Sequence, residues 1–159
     1  MALPRHGLKR VFFVGYSEYF EGRLGRFLAR LFRNIPIDAN RNLQRAMQAA
    51  AEGLRRGMVL VIFPEGARSL DGTVKEFRRG AAILARNLNV PITPVGIWGA
   101  YQAWPREGRV RRHALEVQFG AVLPPGDSLS EEALLEGLRS EVIRLVDEAS
   151  PDHDDASVN

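Results

Sequence analysis

Residues 58–63 of the chain read Met-Val-Leu-Val-Ile-Phe, and residues 64–72 continue as Pro-Glu-Gly-Ala-Arg-Ser-Leu-Asp-Gly. Six apolar side chains in a row predict a short strand that is buried on both faces. Strands buried in this way are typical of parallel sheets, whose two faces are covered by helices. The polar residues that follow predict a loop at the carboxyl end of the strand, which is where open α/β sheets bind their ligands.

Strand and helix patterns alternate on both sides of this run. The sequence predicts strands at 11–14, 90–98 and 115–119, amphipathic helices at 42–56, 77–87 and 131–149, and a turn at 34–38 that Pro36 keeps out of a helix. Such alternation predicts an α/β fold with a largely parallel or mixed sheet and flanking helices. We expect one domain over residues 1–149, followed by a polar tail at 150–159.

Length and composition exclude several classes of protein. The chain has 159 residues, 45% of them hydrophobic and 26% charged, which is the composition of one globular domain. It has no cysteine, so disulfides, thiolate metal sites and cysteine nucleophiles are excluded, and no metal site is predicted. The longest apolar run is far shorter than the ~20 residues of a membrane span. No signal peptide is visible at the start of the sequence, and we expect a cytoplasmic location.

The net charge of +3 conceals two oppositely charged parts. Residues 1–112 carry 20 Lys and Arg against 8 Asp and Glu, a balance of +12, whereas residues 113–159 carry 2 against 11, a balance of −9. Of the 22 basic residues 20 are Arg, the side chain that binds phosphate in a bidentate manner. This excess favours an anionic partner: nucleic acid, anionic lipid or a phosphorylated substrate. A general preference for Arg over Lys would give the same counts.

Residues 18–33 predict an amphipathic helix with an aromatic and leucine stripe opposite a row of arginines. This pattern is typical of a helix that lies on an anionic membrane, and also of a core helix with a solvated basic face. Nucleic acid is not favoured, because the aromatic side chains are not interleaved with the arginines. The residues predicted to face the membrane are Phe20, Leu24, Phe27, Leu28, Leu31, Arg23, Arg26 and Arg30.

The loop after residue 63 has the chemistry of a phosphate-binding site. Gly66 allows close approach of the backbone, Arg68 offers a guanidinium fork, Ser69 a hydroxyl, and Lys75 a second cation. The spacing of a nucleotide-binding P-loop does not occur in the sequence. An ordinary turn with solvated charges is the alternative interpretation.

Residues 63–69, Phe-Pro-Glu-Gly-Ala-Arg-Ser, closely resemble the F-P-E-G-T-R-S signature of the lysophospholipid or glycerol-phosphate acyltransferase family, with Ala67 in place of threonine. Residues 35–38, 75–82 and 90–95 resemble further family motifs in the family's order. The resemblance extends from about residue 3 to residue 119. It implies the glycerol-phosphate acyltransferase fold. Residues 101–105 are similar to family forms that are fused to synthetase or ligase modules, so such a neighbouring domain is a possible partner.

The resemblance also implies a reaction, in which a fatty acyl group moves from a thioester to a free hydroxyl of a lysophosphatidic-acid-like acceptor. The thioester is acyl-CoA or acyl carrier protein, and no other cofactor is implied. By family resemblance Arg68 binds the acceptor phosphate, Glu65 and Gly66 shape the site, and Ser69 and Lys75 support it. A lipid acceptor implies a location peripheral to the inner face of the membrane.

The family's catalytic motif, N-H-x-x-x-x-D, is not found in the sequence. Its histidine serves as the general base, and its aspartate orients the histidine. Five positions after His6, His113 and His153 stand valine, glutamine and valine. We therefore expect a chain that begins after this motif, lacks the first part of the fold and is inactive as written. The alternative is a non-catalytic module that binds anionic lipid or phosphate at a membrane surface.

Overall fold

A computed structural model describes residues 10–16, 34–37, 43–106, 108–124 and 130–150. The chain divides into two compact units, Met1–Gly66 and Ala67–Asn159. The prediction of one domain over residues 1–149 stays a prediction.

The first unit contains a parallel sheet of three strands. These are β1 (Val11–Tyr16), β2 (Asn34–Ile37) and β3 (Val59–Ile62), in the order β2-β1-β3. Phe13 of β1 is opposite Asn34 of β2 and Val61 of β3. Because β1 lies in the centre, its side chains Phe12 and Val14 are buried. The predicted parallel pairing of the apolar run is therefore confirmed.

Helix α1 (Leu43–Arg55) connects β2 to β3 and packs against the sheet. Its buried residues are Ala46 and Ala50, and Gly53 lies so close to Phe12 that an added Cβ would be 2.6 Å from the ring. Two residues after the helix ends, Gly57 has a φ of +72°. The N–H of Gly57 bonds to the carbonyl of Leu54 and the N–H of Met58 to that of Gly53, the two bonds of a Schellman motif.

Two predictions for this unit are wrong. Residues 34–37 form strand β2 instead of a turn. A proline is tolerated there because β2 is an edge strand of the sheet, where a missing N–H breaks no ladder on the outer side. Strand β3 is not buried on both faces, since Val59 is 53% exposed and the next three residues are half-buried. It lies at the other edge of this sheet, and the central position belongs to β1.

The second unit consists of α2 (Gly80–Leu88), β4 (Val95–Trp98), α3 (Ala100–Ala103), β5 (Glu116–Phe119) and α4 (Glu131–Glu148). Strands β4 and β5 are antiparallel, with Val95 opposite Phe119 and Trp98 opposite Glu116. Helix α4 packs across β4, where a Cβ added to Gly96 would lie 2.6 Å from Cβ of Leu145. The described strands thus form a parallel sheet and an antiparallel pair, flanked by helices, as the α/β prediction requires.

The limits of these elements differ from the prediction mainly beside prolines. The predicted strand 90–98 is regular only over Val95–Trp98, and Ile92 makes an isolated bridge to Leu123. Pro91 and Pro94 carry no N–H for a continuous ladder. Helix α2 begins at Gly80 instead of residue 77. Helix α4 matches its prediction, and the side chain of Ser130 accepts a hydrogen bond from the N–H of Ala133 as an N-cap.

The predicted helix 18–33, with all eight residues assigned to the membrane, lies outside the described residues. So does the predicted polar tail except for Ser150. Among the helices that the structure describes, none combines the length and the apolar character that crossing a bilayer requires.

Candidate phosphate-binding site

The chain leaves β3 through a tight turn over residues 63–66. The N–H of Gly66 donates a hydrogen bond to the carbonyl of Phe63 at 3.1 Å. Gly66 has a φ of +72°, a conformation in which a Cβ is unfavourable, so glycine is the fitting residue here. Glu65, within the turn, is half-buried. Glu65 and Gly66 are the last residues of the first unit, and the other predicted site residues belong to the second.

Arg68 lies against an aromatic ring that the sequence analysis did not assign to the site. Its guanidinium carbon is 4.4 Å from the ring centroid of Trp104, within the range of a cation–π interaction. Nη2 of Arg68 donates to the carbonyl of Arg106 at 3.3 Å, while Nε and Nη1 are shielded from solvent. Nζ of Lys75 donates to the backbone carbonyl of Arg68 at 3.3 Å. Two predicted site residues, Arg68 and Lys75, are thus brought together.

Ser69 is engaged inside the loop of residues 67–75, called the 67–75 loop below. Its hydroxyl donates to Oδ1 of Asp71 at 2.9 Å and accepts from the N–H of Gly72 at 2.9 Å. The same carboxylate oxygen accepts from the N–H of Thr73 at 3.0 Å and from its hydroxyl at 2.8 Å. Ser69 and Asp71 therefore fix the shape of the loop.

These hydrogen bonds make Asp71 unusually acidic. The N–H of Thr73, then its hydroxyl and that of Ser69, lower the pKa of Asp71 from 3.8 to about 2. The carboxylate therefore braces the loop fully above pH 3.8, and the brace is lost as the pH falls through about 2. We expect the chemical shift of the Asp71 carboxyl carbon, followed by NMR, to titrate near the lower value. Thr73→Val, which removes one donor, should raise this pKa.

The exposed Thr93→Val is the matched control, and it should leave the titration of Asp71 unchanged. A midpoint at the ordinary pKa of 3.8 in the unaltered chain would contradict the bonding described for the loop.

Two side chains from distant parts of the second unit hold the 67–75 loop from outside. Nε and Nη2 of Arg139, on α4, donate to the carbonyls of Lys75 and Val74, each at 3.1 Å. The hydroxyl of Tyr101, on α3, donates to the carbonyl of Leu70 at 3.0 Å. Sequence reasoning missed both braces. Two aromatic residues, Tyr101 and Trp104, stand within six residues of the end of β4, and this pattern could have predicted contacts with the loop. Nothing in the sequence around Arg139 distinguishes it from a solvated helix arginine.

This arrangement provides a loop with two cationic side chains and a backbone that several hydrogen bonds hold in place. A guanidinium and an ammonium on one loop favour an anionic ligand, and a phosphate offers the geometry that the guanidinium fork matches. Among the residues that the structure describes, no group of three or more His, Cys, Asp or Glu side chains could hold a metal ion.

The profile of the acyltransferase family matches residues 1–98, which include the signature at 63–69. The chain belongs to the acyltransferase family. The family resemblance in the sequence is therefore confirmed. The 67–75 loop lies within the matched part, whereas Tyr101, Trp104 and Arg139, which contact that loop, lie beyond it.

Among curated proteins, the chain is 35% identical over 98 residues to a 1-acyl-sn-glycerol-3-phosphate acyltransferase of Limnanthes douglasii, covering 60% of this chain and 32% of the relative. It is 36% identical over 81 residues to the enzyme of that name from Pseudomonas aeruginosa, covering 49% of this chain and 31% of the relative. The matched region thus spans about a third of the length of these relatives.

Among solved structures, the chain is similar to the crystal structure of the 1-acyl-sn-glycerophosphate (LPA) acyltransferase PlsC from Thermotoga maritima. The TM-score is 0.70 at 27% sequence identity, and the match covers 89% of this chain and 57% of that protein. The similarity includes most of both units and confirms the predicted α/β acyltransferase fold. The roles assigned to Glu65, Gly66, Arg68, Ser69 and Lys75 remain predictions.

Proposed function

We propose that this protein takes part in phospholipid synthesis by transferring a fatty acyl group from a thioester to the free hydroxyl of a lysophosphatidic-acid-like acceptor. The observation that carries the proposal is the signature at 63–69, placed at the carboxyl end of β3, with Arg68 on the loop that follows. The names of the relatives support the same acceptor class. The acyl donor is acyl-CoA or acyl carrier protein.

In this reaction the acceptor hydroxyl attacks the thioester carbonyl, a base takes the hydroxyl proton, and the thiol leaves while the ester forms. The described residues contribute binding. The guanidinium of Arg68 takes the acceptor phosphate as a bidentate ligand, and Lys75 adds a second positive charge. Holding the phosphate fixes the position of the hydroxyl on the same glycerol unit, which lowers the entropy cost of the reaction.

The absence of the N-H-x-x-x-x-D motif from these 159 residues favours a second candidate function. None of the three histidines of the sequence has an aspartate five positions later, so the family's base is not found in these 159 residues. General-base catalysis contributes roughly 10²–10⁴ in rate, and a chain without the base would bind the acceptor far better than it would turn it over. The second candidate is therefore a non-catalytic module that binds phosphate-bearing lipid at a membrane surface.

The test is acyl transfer from palmitoyl-CoA and from palmitoyl acyl carrier protein to lysophosphatidic acid, with phosphatidic acid measured by mass spectrometry. The 159-residue chain is assayed beside the protein isolated from its own cells, whose intact mass shows which polypeptide acts. Product above a heat-inactivated blank in either sample supports the transferase. Acceptor binding without product in both samples supports the binding module, and neither binding nor product contradicts both.

A further inference from the structure

The antiparallel pair of strands β4 and β5 has one covered face and one open face. Helix α4 covers the face that contains Gly96 and Gly120, both of which lie against Leu145. The opposite face carries apolar side chains, with Ile97 paired to Val117 and Val95 to Phe119. Val117 is 50% exposed and Phe119 is 63% exposed. Apolar side chains gathered on one open face of a sheet mark an interaction surface.

An exposed basic segment precedes β5. Residues 109–112 read Arg-Val-Arg-Arg, all four are exposed, and Val110 between the arginines is 72% exposed. In the part of the chain that the structure describes, no Asp or Glu forms an ion pair with Arg109, Arg111 or Arg112. An apolar side chain between exposed arginines suits the boundary between anionic headgroups and acyl chains.

The basic segment and the open face are close along the chain. Residues 113–115 separate Arg112 from β5, so Arg112 and the first residue of β5, Glu116, lie at most about 14 Å apart. Both features are therefore close enough along the chain to contact one extended partner such as a bilayer surface.

We propose that Arg109, Val110, Arg111 and Arg112, with Val117 and Phe119 of the open face, form a docking surface for an anionic lipid bilayer. The arginines bind the headgroups, and the apolar side chains enter the interfacial region. Binding of an acidic protein in place of a bilayer is the outcome that the experiments below distinguish. This inference concerns membrane binding alone, so its test uses no acyl donor and does not depend on the proposed reaction.

The surface is also connected to the candidate phosphate site. The carbonyl of Arg106, three residues before Arg109, accepts a hydrogen bond from Arg68. A bilayer bound by the basic segment would therefore lie near the loop that we propose to bind the phosphate of a lysophospholipid.

The first experiment is cosedimentation of the full chain with phosphatidylcholine vesicles, with and without phosphatidylglycerol. Each arginine near an anionic surface adds to partitioning, so Arg111→Gln with Arg112→Gln should weaken binding to the anionic vesicles roughly 10- to 30-fold. The matched control is Arg45→Gln with Arg55→Gln, which removes two exposed charges from α1. Equal weakening by both double variants would overturn the proposal, since net charge alone would then explain it.

The second experiment locates the bilayer on the protein. The chain has no cysteine, so Val110→Cys can carry a single environment-sensitive NBD label, and Gln48→Cys on α1 is the exposed control site. With anionic vesicles we expect a blue shift and quenching by nitroxide lipids at position 110 only. A label at 110 that stays in water while the protein is vesicle-bound overturns the proposal. A blue shift that grows with protein concentration in the absence of vesicles would also overturn the proposal, because it would indicate that a second copy of the chain covers this surface. The same holds if the labelled protein binds an acidic carrier protein but does not bind vesicles.

Discussion

Replacing Gly99 by alanine is expected to lower the free energy of unfolding by about 2–5 kcal/mol. Gly99 follows β4 with a φ of +81°, a conformation that costs energy for any residue with a Cβ. A Cβ at this position would also overlap the carbonyl oxygen of Ala114, a backbone atom that no side-chain rotation can move aside. The two costs add because the strain is within residue 99, whereas the overlap displaces the chain that leads into β5.

Two other glycines separate these costs. Gly57 has a φ of +72° and nothing within 4 Å of an added Cβ, so Gly57→Ala should show the strain alone, about 1–2 kcal/mol. Gly137 lies within α4 in open space, and Gly137→Ala should stabilise by about 0.5–1 kcal/mol. Urea unfolding followed by circular dichroism measures all three variants. Equal losses for Gly99→Ala and Gly57→Ala would mean that the overlap with Ala114 is relieved at no cost.

Gly99→Ala should also affect the candidate site. Gly99 accepts the N–H of Ala103 through its carbonyl and begins the short helix that carries Tyr101 toward Leu70. Because Trp104 follows that helix directly, a displaced residue 99 would move the aromatic ring against which Arg68 lies.

Arg68→Gln is expected to weaken the binding of a short-chain lysophosphatidic acid roughly 10- to 100-fold. This ratio of affinities corresponds to the free energy that a hydrogen bond between charged groups contributes. Binding of the corresponding monoacylglycerol, which has no phosphate, should change little. Arg68→Lys keeps the charge but loses the planar fork, so it should recover only part of the affinity. Calorimetric titration of both ligands measures the ratio of affinities, which is the decisive quantity.

Arg45→Gln, on the exposed face of α1, is the control for the lost charge and should leave that ratio unchanged. Because Nε and Nη1 of Arg68 are shielded beside Trp104, a bound phosphate should draw the guanidinium away from the ring and change tryptophan fluorescence. This change should be visible in a Trp98→Phe background and absent in Arg68→Gln. If Arg68→Gln weakened both ligands equally, Arg68 would not be the phosphate ligand.

Local signals in the sequence predicted several elements well. Helix α4 begins at Glu131 as predicted, α1 ends within one residue of its predicted limit, and the apolar run at 58–63 contains strand β3, because each depends on residues within one turn of helix or one strand. The signature at 63–69 likewise identified the loop that carries Arg68. In all these cases the deciding contacts are close in sequence.

Features that depend on position within a sheet were not predictable in this way. Pro36 disfavours the interior of a helix, but only the order β2-β1-β3 makes its segment an edge strand. The same order leaves Val59 exposed, although its run looks like a buried strand. The contacts of the 67–75 loop join residues that are far apart in sequence, such as Arg139 with Val74, and periodicity carries no information about such pairs.

Arg139 also bears on how this protein can be divided. A fragment ending at Trp98 would include every residue that the family profile matches, yet it would lose the side chain that holds the carbonyls of Val74 and Lys75. These two backbone carbonyls would then depend on solvent for their hydrogen-bond partners. The residues that the family profile matches therefore end at 98, whereas the contacts that hold the 67–75 loop extend to Arg139. A minimal fragment that keeps this loop in place must include Arg139.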